Sequence, residues 1–149
     1  MTLSEADIDR IGAASETIER SLSVLADKQS LSRETYRNDR ETRDVVERRF
    51  VKATEAAIDI AETLVVHERG DTPEGGHTAM VTLADTGVLD RGTAREMAQT
   101  ARFRNILAHT YGGAIDNDDV YDALQNLERY RNFLHEVRTY LDETGALDI

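Results

Sequence analysis

Polar side chains of four different kinds are crowded into the short segment from Arg104 to Tyr111. The segment contributes the guanidinium of Arg104, the amide of Asn105, the imidazole of His109 and the phenol of Tyr111. A guanidinium is permanently charged and can grip an anion with two parallel hydrogen bonds, whereas an imidazole exchanges a proton near neutral pH. These groups could form a reactive or binding site, provided that the local structure brings them together.

A helix is the element that would bring most of them together. At about 100° per residue, Asn105 and His109 lie on one face of a helix, and Arg102 lies one turn before Asn105. Arg104 and Tyr111 would share the neighbouring face if the helix continued. The apolar residues of the segment are expected to supply its buried side: Phe103, Ile106, Leu107 and Ala108.

A purely structural explanation of the same segment stays open. Cationic side chains near a helix C-terminus complement its partial negative charge, Asn105 can face solvent, and Tyr111 can be a packing residue. Residue types alone favour this explanation over a reactive site.

Other catalytic and metal sites find little support in the sequence. There are no cysteines, which excludes disulfides, thiolate metal ligands and thiol nucleophiles. The histidines are His67, His77, His109 and His135, and none stands in an HExxH zinc motif. We therefore expect neither a metal nor a cofactor.

Long amphipathic helices are expected to position the polar segment. Apolar or small residues recur at alternating spacings of three and four along the first of them: Ile8, Ile11, Ser15, Ile18, Leu22 and Leu25. The segment from Ser30 to Arg33 breaks that helix, and Ser32 is suited to cap the next one. The highly charged stretch from Tyr36 to Arg49 predicts an exposed helix that is interrupted near Asn38.

A second long helix follows and is expected to end near Gly70, a residue suited to its C-terminal cap. Its apolar face is formed by Val46, Phe50, Ala53, Ala57, Ile60 and Leu64. The stretch from Gly70 to His77 holds the only proline and three of the nine glycines, which predicts a loop. A short helix from about Thr78 to Thr86 comes next.

The polar segment lies on the helix that carries Thr93 to Ala108, with Asp90 suited to cap its start and Gly112-Gly113 to stop it. A last helix is expected after the cluster from Asp116 to Asp119, because carboxylates favour a helix N-terminus. Its apolar positions are Val120, Leu124, Leu127, Leu134, Val137 and Leu141.

The pattern as a whole predicts an all-α fold. No segment shows the sustained period-two alternation that is typical of strands. We expect an antiparallel helical bundle of four long helices plus one or two short ones. At 149 residues, the chain is expected to form one domain over positions 1–149.

The charge of the chain is strongly acidic, with a formal net charge of −11 at pH 7. Only Lys28 and Lys52 are lysines, and this composition resembles that of proteins from halophilic organisms. The sequence has neither a signal-peptide pattern nor a run near the roughly 18 apolar residues of a membrane span. We therefore expect a cytoplasmic protein without membrane association.

The pattern Arg-x4-His-x-Tyr, with Asn directly after the arginine and Gly-Gly shortly beyond, resembles the signature of HEPN-domain proteins. More narrowly, the chain is similar to the HepT-like ribonuclease toxins. The resemblance extends over nearly the whole chain, through its length, its helical layout, the loop with Pro73 and Gly75-Gly76, the step Gly87-Val-Leu89 and a long final helix.

This resemblance implies a metal-independent endoribonuclease toxin of a toxin–antitoxin pair. It implies that Arg104 and His109 are catalytic, that Asn105 orients the histidine or the phosphate, and that Tyr111 is a regulatory residue. Imidazole and guanidinium suit such a reaction, because one moves protons and the other stabilises phosphate charge. To these residues we add Arg102 as a contact to the RNA backbone.

The resemblance also implies two protein partners. A second copy of the chain would complete the active site, so that the protein is a homodimer with a composite site. An MntA-like minimal nucleotidyltransferase antitoxin would add AMP to Tyr111 and silence the enzyme, since the added bulk and negative charge would lie close to His109.

Two further functions stay open. The acidic surface opposes RNA binding, which normally relies on basic patches. A non-catalytic HEPN subunit that binds a nucleotide or a nucleotidyltransferase is therefore the alternative, and a dimeric helical scaffold is the third possibility.

Overall fold

The computed structural model describes residues 3–109 and 115–144 of the chain. Within these ranges there are seven helices and no strand, which confirms the all-α fold. They are α1 (Glu5–Lys28), α2 (Arg33–Asn38), α3 (Arg40–Arg69), α4 (Gly76–Asp85), α5 (Arg91–His109), α6 (Asn117–Leu124) and α7 (Glu128–Glu143). The four long helices are α1, α3, α5 and α7, and the described ranges hold three short ones where one or two were expected.

The first half of the chain follows the sequence pattern closely. Ser32 caps α2, since its Oγ accepts a hydrogen bond from the backbone N–H of Thr35 at 3.1 Å. The predicted interruption near Asn38 falls one residue later, at Asp39, whose carboxylate accepts the N–H of Thr42 at 3.2 Å and starts α3. Helix α3 ends at Gly70, which has a positive φ of 82°. These three predictions are confirmed.

The hydrophobic core joins all four long helices. The six apolar positions predicted for α3 are buried, as are those predicted for the last part of the chain. On α1 the predicted stripe is buried at Ile11, Ile18, Leu22 and Leu25, whereas Ile8 and Ser15 are partly exposed. Helix α1 packs mainly on α3, and α5 packs on α3, α4 and α7.

Helix α4 begins at Gly76, two residues before the predicted start, and is seated tightly at that end. A Cβ atom built on Gly76 would lie 2.7 Å from the side chain of Ile58 on α3 and 3.3 Å from the Cβ of Ala101 on α5. Because real Cβ atoms need more room than this, only glycine fits here without displacing its neighbours. The Gly-Gly pair therefore serves packing as well as the turn.

The start of α5 is fixed by two carboxylates. Asp90, the predicted cap, accepts the N–H of Gly92 at 3.1 Å. Glu136 on α7 accepts the N–H of Asp90 at 2.7 Å and the hydroxyl of Thr93 at 2.5 Å. These bonds satisfy donors that a helix N-terminus leaves free and tie α5 to α7.

The prediction of a single last helix is wrong, because Gln125 to Leu127 separate α6 from α7. Asp116 caps α6 as expected, and its carboxylate accepts the N–H of Asp118 at 2.9 Å. At the other end, Gln29 after α1 donates to the carbonyl of Leu124 at 3.0 Å, and Gln125 donates back to the carbonyl of Gln29 at 3.0 Å. This crossed pair satisfies the end of α6 and lets the helix stop.

No helix among the described residues combines the length and the apolar character needed to span a membrane.

Candidate functional site

The polar segment begins on a part of α5 that packs through an aromatic side chain on the core. Phe103 packs edge-on against Phe50 of α3, with ring centroids 6.4 Å apart. Phe50 also contacts Tyr130 of α7 at 6.3 Å, and the Tyr130 hydroxyl shares a buried hydrogen bond of 2.7 Å with Thr54. Three long helices thus fix the rotation of α5 just before Arg104.

Arg104 and Asn105 are joined directly. The Nη1 group of Arg104 donates a hydrogen bond to Oδ1 of Asn105 at 3.0 Å. Arg104 is half-buried and Asn105 is exposed, so that the pair lies at the edge of the core. The Nε atom of Arg104 is buried and has no hydrogen-bond acceptor among the described residues. The guanidinium is therefore oriented by the Asn105 amide at the edge of the core.

The remaining predicted site residues are placed differently. Arg102 is exposed and lines a groove between α4 and α5. His109 is the last residue of α5, one helical turn after Asn105, and its side chain lies outside what the structure describes. Tyr111 and the Gly112-Gly113 stop lie outside the described residues. The structure thus brings Arg104 and Asn105 together and leaves Arg102 on the neighbouring groove.

The expected buried side of the segment needs correction at two positions. Leu107 is buried and Phe103 is partly buried, but Ile106 is 51% exposed and Ala108 is exposed as well. Ile106 lies about 180° around the helix from Met97, whose side chain is in the core. An exposed isoleucine therefore stands beside the Arg104–Asn105 pair.

No group of three or more histidine, aspartate or glutamate side chains in the described part of the chain is arranged to hold a metal ion.

Comparison with known proteins places this arrangement in a family. The sequence profile of the family "Ribonuclease HepT-like" matches residues 13–137. The chain is similar to the "tRNA nuclease HepT" of Aphanizomenon flos-aquae, with 27% identity over 127 residues, which covers 85% of this chain and 86% of that protein.

Solved structures show the same fold. A toxin–antitoxin crystal structure with AMP-PNP contains a chain with a TM-score of 0.80 and 20% identity, covering 88% of this chain and 98% of that one. A tri-AMPylated HEPN toxin from Shewanella oneidensis, in complex with an MNT antitoxin, has a TM-score of 0.73 and 21% identity, covering 91% and 98%.

The family profile matches most of the chain, including α5 with Arg104, Asn105 and His109. It confirms both the resemblance that the motif indicated and the enzyme class, a ribonuclease. The chain belongs to the HepT-like ribonuclease family.

Proposed function

We propose that the protein is the endoribonuclease toxin of a toxin–antitoxin pair, with Arg104, Asn105 and His109 as its catalytic residues. The observation that carries this proposal is the 3.0 Å hydrogen bond between Arg104 and Asn105, one helical turn before His109, in a chain of the HepT-like ribonuclease family. The name of the cyanobacterial relative supports tRNA as the first substrate to test.

The reaction needs proton transfer and stabilisation of phosphate charge. His109 removes the proton of a ribose 2′-hydroxyl, the 2′-oxygen attacks the adjacent phosphorus, and the bond from phosphorus to the 5′-oxygen breaks. The leaving 5′-oxygen takes up a proton, and Arg104 stabilises the negative charge on the phosphate oxygens. Asn105 keeps the guanidinium in position. None of these steps requires a metal ion.

A homodimer with a composite site fits this chemistry. One imidazole acts as a base and a second one can act as the acid, so that His109 from each of two subunits supplies both functions.

Silencing by AMP addition at Tyr111 is the regulatory part of the proposal. It is supported by the solved toxin that is described as tri-AMPylated and in complex with an MNT antitoxin. An adenylyl group two residues from His109 would block RNA by bulk and by negative charge. Co-expression with an MntA-like nucleotidyltransferase should add mass in units of AMP, and Tyr111→Phe should prevent this. Modification of the Tyr111→Phe protein at an unchanged level would contradict the assignment.

The nuclease is tested by incubating the purified protein with bulk tRNA in the presence of EDTA. We expect cleavage by the wild type and by Arg20→Ala, an exposed control on α1, at low KCl. Arg104→Ala and His109→Ala should each reduce the rate by about 100-fold or more. Equal decay of the tRNA in all four samples would contradict the proposal.

A non-catalytic binding subunit is the second candidate, and the net charge of −11 favours it because that charge repels RNA. This candidate predicts that the wild type leaves tRNA intact while it still binds a nucleotide or a nucleotidyltransferase. The same assay therefore separates the two functions.

A further inference from the structure

A groove of about 290 Å³ lies between α4 and α5 and extends along α5 as far as Arg102. Its floor is formed by small side chains, and its rim carries the cationic or polar groups His77, Arg91, Arg95, Gln99 and Arg102. Ala94 and Ala98 of the floor are buried, whereas the three arginines are exposed. A floor of small side chains with arginines on the rim suits an anionic polymer that lies along the helix.

The three arginines form one row on α5. At about 100° per residue, Arg91, Arg95 and Arg102 lie within roughly 40° of each other around the helix axis, and they span roughly 16 Å along it. The row runs towards the C-terminal end of α5, where Arg104, Asn105 and His109 follow. We call these three residues the α5 arginine row.

The charge of α5 is opposite to that of the chain. The helix contains four arginines and one glutamate, a formal charge of +3 without histidine, in a protein of net charge −11. Stability of the helix does not explain the two arginines nearest its start, because cations near a helix N-terminus oppose the helix dipole. Arg91 and Arg95 both lie in the first two turns of α5.

Ion pairs do not explain the row either. Arg91 pairs with Asp85 at 3.6 Å, but the two side chains are 77% and 49% exposed, and such pairs contribute little to stability. Within the described part of the chain, no carboxylate lies within 4.0 Å of the guanidinium groups of Arg95 and Arg102. These cations are available to a ligand from solution.

We infer that the groove between α4 and α5 binds the ribose–phosphate backbone of the RNA strand that enters the active site, with Arg91 and Arg95 as phosphate contacts in line with Arg102. The inference rests on the proposed ribonuclease function. The row points along α5 towards Asn105 and position 109, which lie on the same side of the helix within about 60° of Arg102, and its arginines can each hold a phosphate through two hydrogen bonds. The α5 arginine row thus supplies local positive charge that the acidic surface elsewhere does not.

The groove binds RNA through the sugar–phosphate backbone and not through the bases. Its nine lining residues in the described part of the chain include no phenylalanine, tyrosine or tryptophan on which a base could stack. Binding through phosphates alone tolerates any sequence and weakens steeply with salt, because each neutralised phosphate releases counterions. Choice of the cleavage position then belongs to the active site itself.

The test compares Arg91→Gln/Arg95→Gln with the matched control Arg10→Gln/Arg20→Gln, which removes the same charge from two exposed positions on α1. Initial rates of bulk tRNA cleavage give KM and kcat, and anisotropy of labelled tRNA at several KCl concentrations gives the salt dependence of binding. The groove variant should raise KM about tenfold and leave kcat within about twofold. The slope of the logarithm of the binding constant against the logarithm of the KCl concentration should become less steep by between about one and two units. The control should keep the wild-type values.

The outcomes separate the groove from the nuclease. If the wild type cleaves tRNA and the groove variant matches the control in KM and salt slope, the groove inference is wrong while the nuclease stands. If the wild type binds tRNA without cleaving it and the groove variant alone binds weakly, the groove stands and the nuclease fails. No tRNA binding by the wild type, or equal displacement of tRNA by poly-glutamate and by unlabelled RNA, would overturn the inference.

Discussion

The α5 arginine row and a second arginine-rich region use the same side chain in opposite ways. The second region, the α2–α6 cluster, consists of Arg33 and Arg37 on α2 with Asp118 and Asp122 on α6. Arg33 donates to Asp118 at 3.2 Å and to Asp122 at 2.7 Å, and Arg37 donates to Asp118 at 2.9 Å. Its arginines are neutralised by carboxylates and join two helices.

The difference shows how the role of an arginine can be inferred in an acidic protein. In the α2–α6 cluster, Arg33 also lies over the ring of Tyr121 at 4.7 Å, and the Tyr121 hydroxyl donates to the carbonyl of Leu31 at 2.6 Å. All four charged side chains of the cluster have a partner within the protein. Among the described residues, Arg95 and Arg102 of the α5 arginine row have no carboxylate partner, and the helix is held in place by other side chains. Partners inside the protein indicate a structural role, whereas unpaired arginines aligned along a groove are available to a ligand.

The largest expected effect is on catalysis and distinguishes Arg104 from a structural arginine. Arg104→Lys keeps the positive charge but loses the planar group that reaches both Asn105 and a phosphate. We expect the rate of tRNA cleavage to fall by about 100-fold, with little change in thermal unfolding. Equal kcat values for the variant and the wild type would show that Arg104 contributes charge alone. Arg20→Lys on α1 is the control.

The next effect is on stability and tests what holds α5 in place. Glu136→Ala removes the acceptor for the N–H of Asp90 and the hydroxyl of Thr93. Since both donors lose their partner, we expect the free energy of unfolding to fall by about 1–2 kcal/mol in urea denaturation. Arg95→Ala, on the same helix, should unfold like the wild type. If Arg95→Ala were the more destabilising of the two, the α5 arginine row would be structural.

The smallest effect is a dependence of stability on pH in the α2–α6 cluster. Hydrogen bonds from Arg37 and Arg33 hold the pKa of Asp118 below its usual range. The folded state therefore binds fewer protons than the unfolded state, and the stabilisation is present above the unfolded pKa of about 3.9. It is lost as the pH falls through the lower, folded pKa. Asp118→Asn should melt below the wild type at pH 6.

The pH dependence of this difference in melting temperature tests whether the ion pairs cause it. The difference in melting temperature between Asp118→Asn and the wild type should shrink as the pH falls below about 4, and also at high salt, because the pairs are exposed. Asp71→Asn, at an exposed loop position, is the control. A difference that stays constant from pH 6 to pH 3 would mean that the ion pairs do not stabilise the junction of α2 and α6.

Local patterns in the sequence were sufficient for most of the helices. The apolar face of α3, the cap at Ser32 and the end at Gly70 depend on residues within a turn or two of each other, so that periodicity and capping predict them. The break between α6 and α7 could not be found this way. It depends on hydrogen bonds that join Gln29 to Leu124 and Gln125, which lie more than ninety residues further along the chain.

The same distinction between local and long-range contacts applies to the candidate site. The motif placed Arg104 and Asn105 next to each other on one helix, but their hydrogen bond depends on the side-chain conformations, because adjacent residues of a helix do not face each other. The spacing of Arg91, Arg95 and Arg102 also places these three arginines on one helix face. What the spacing could not supply is the approach of α4, which turns an exposed row into the wall of a groove.

Gly76 affects the width of the groove from a position that does not line it. The start of α4 can lie close to α3 and α5 because residue 76 has no Cβ, which would lie 2.7 Å from Ile58 on α3 and 3.3 Å from Ala101 on α5. Gly76→Ala would therefore push the start of α4 away, mainly from α3. One additional carbon atom at this position would move the α4 wall of the groove without changing any residue that lines it, so that the width of the groove is set from outside its lining.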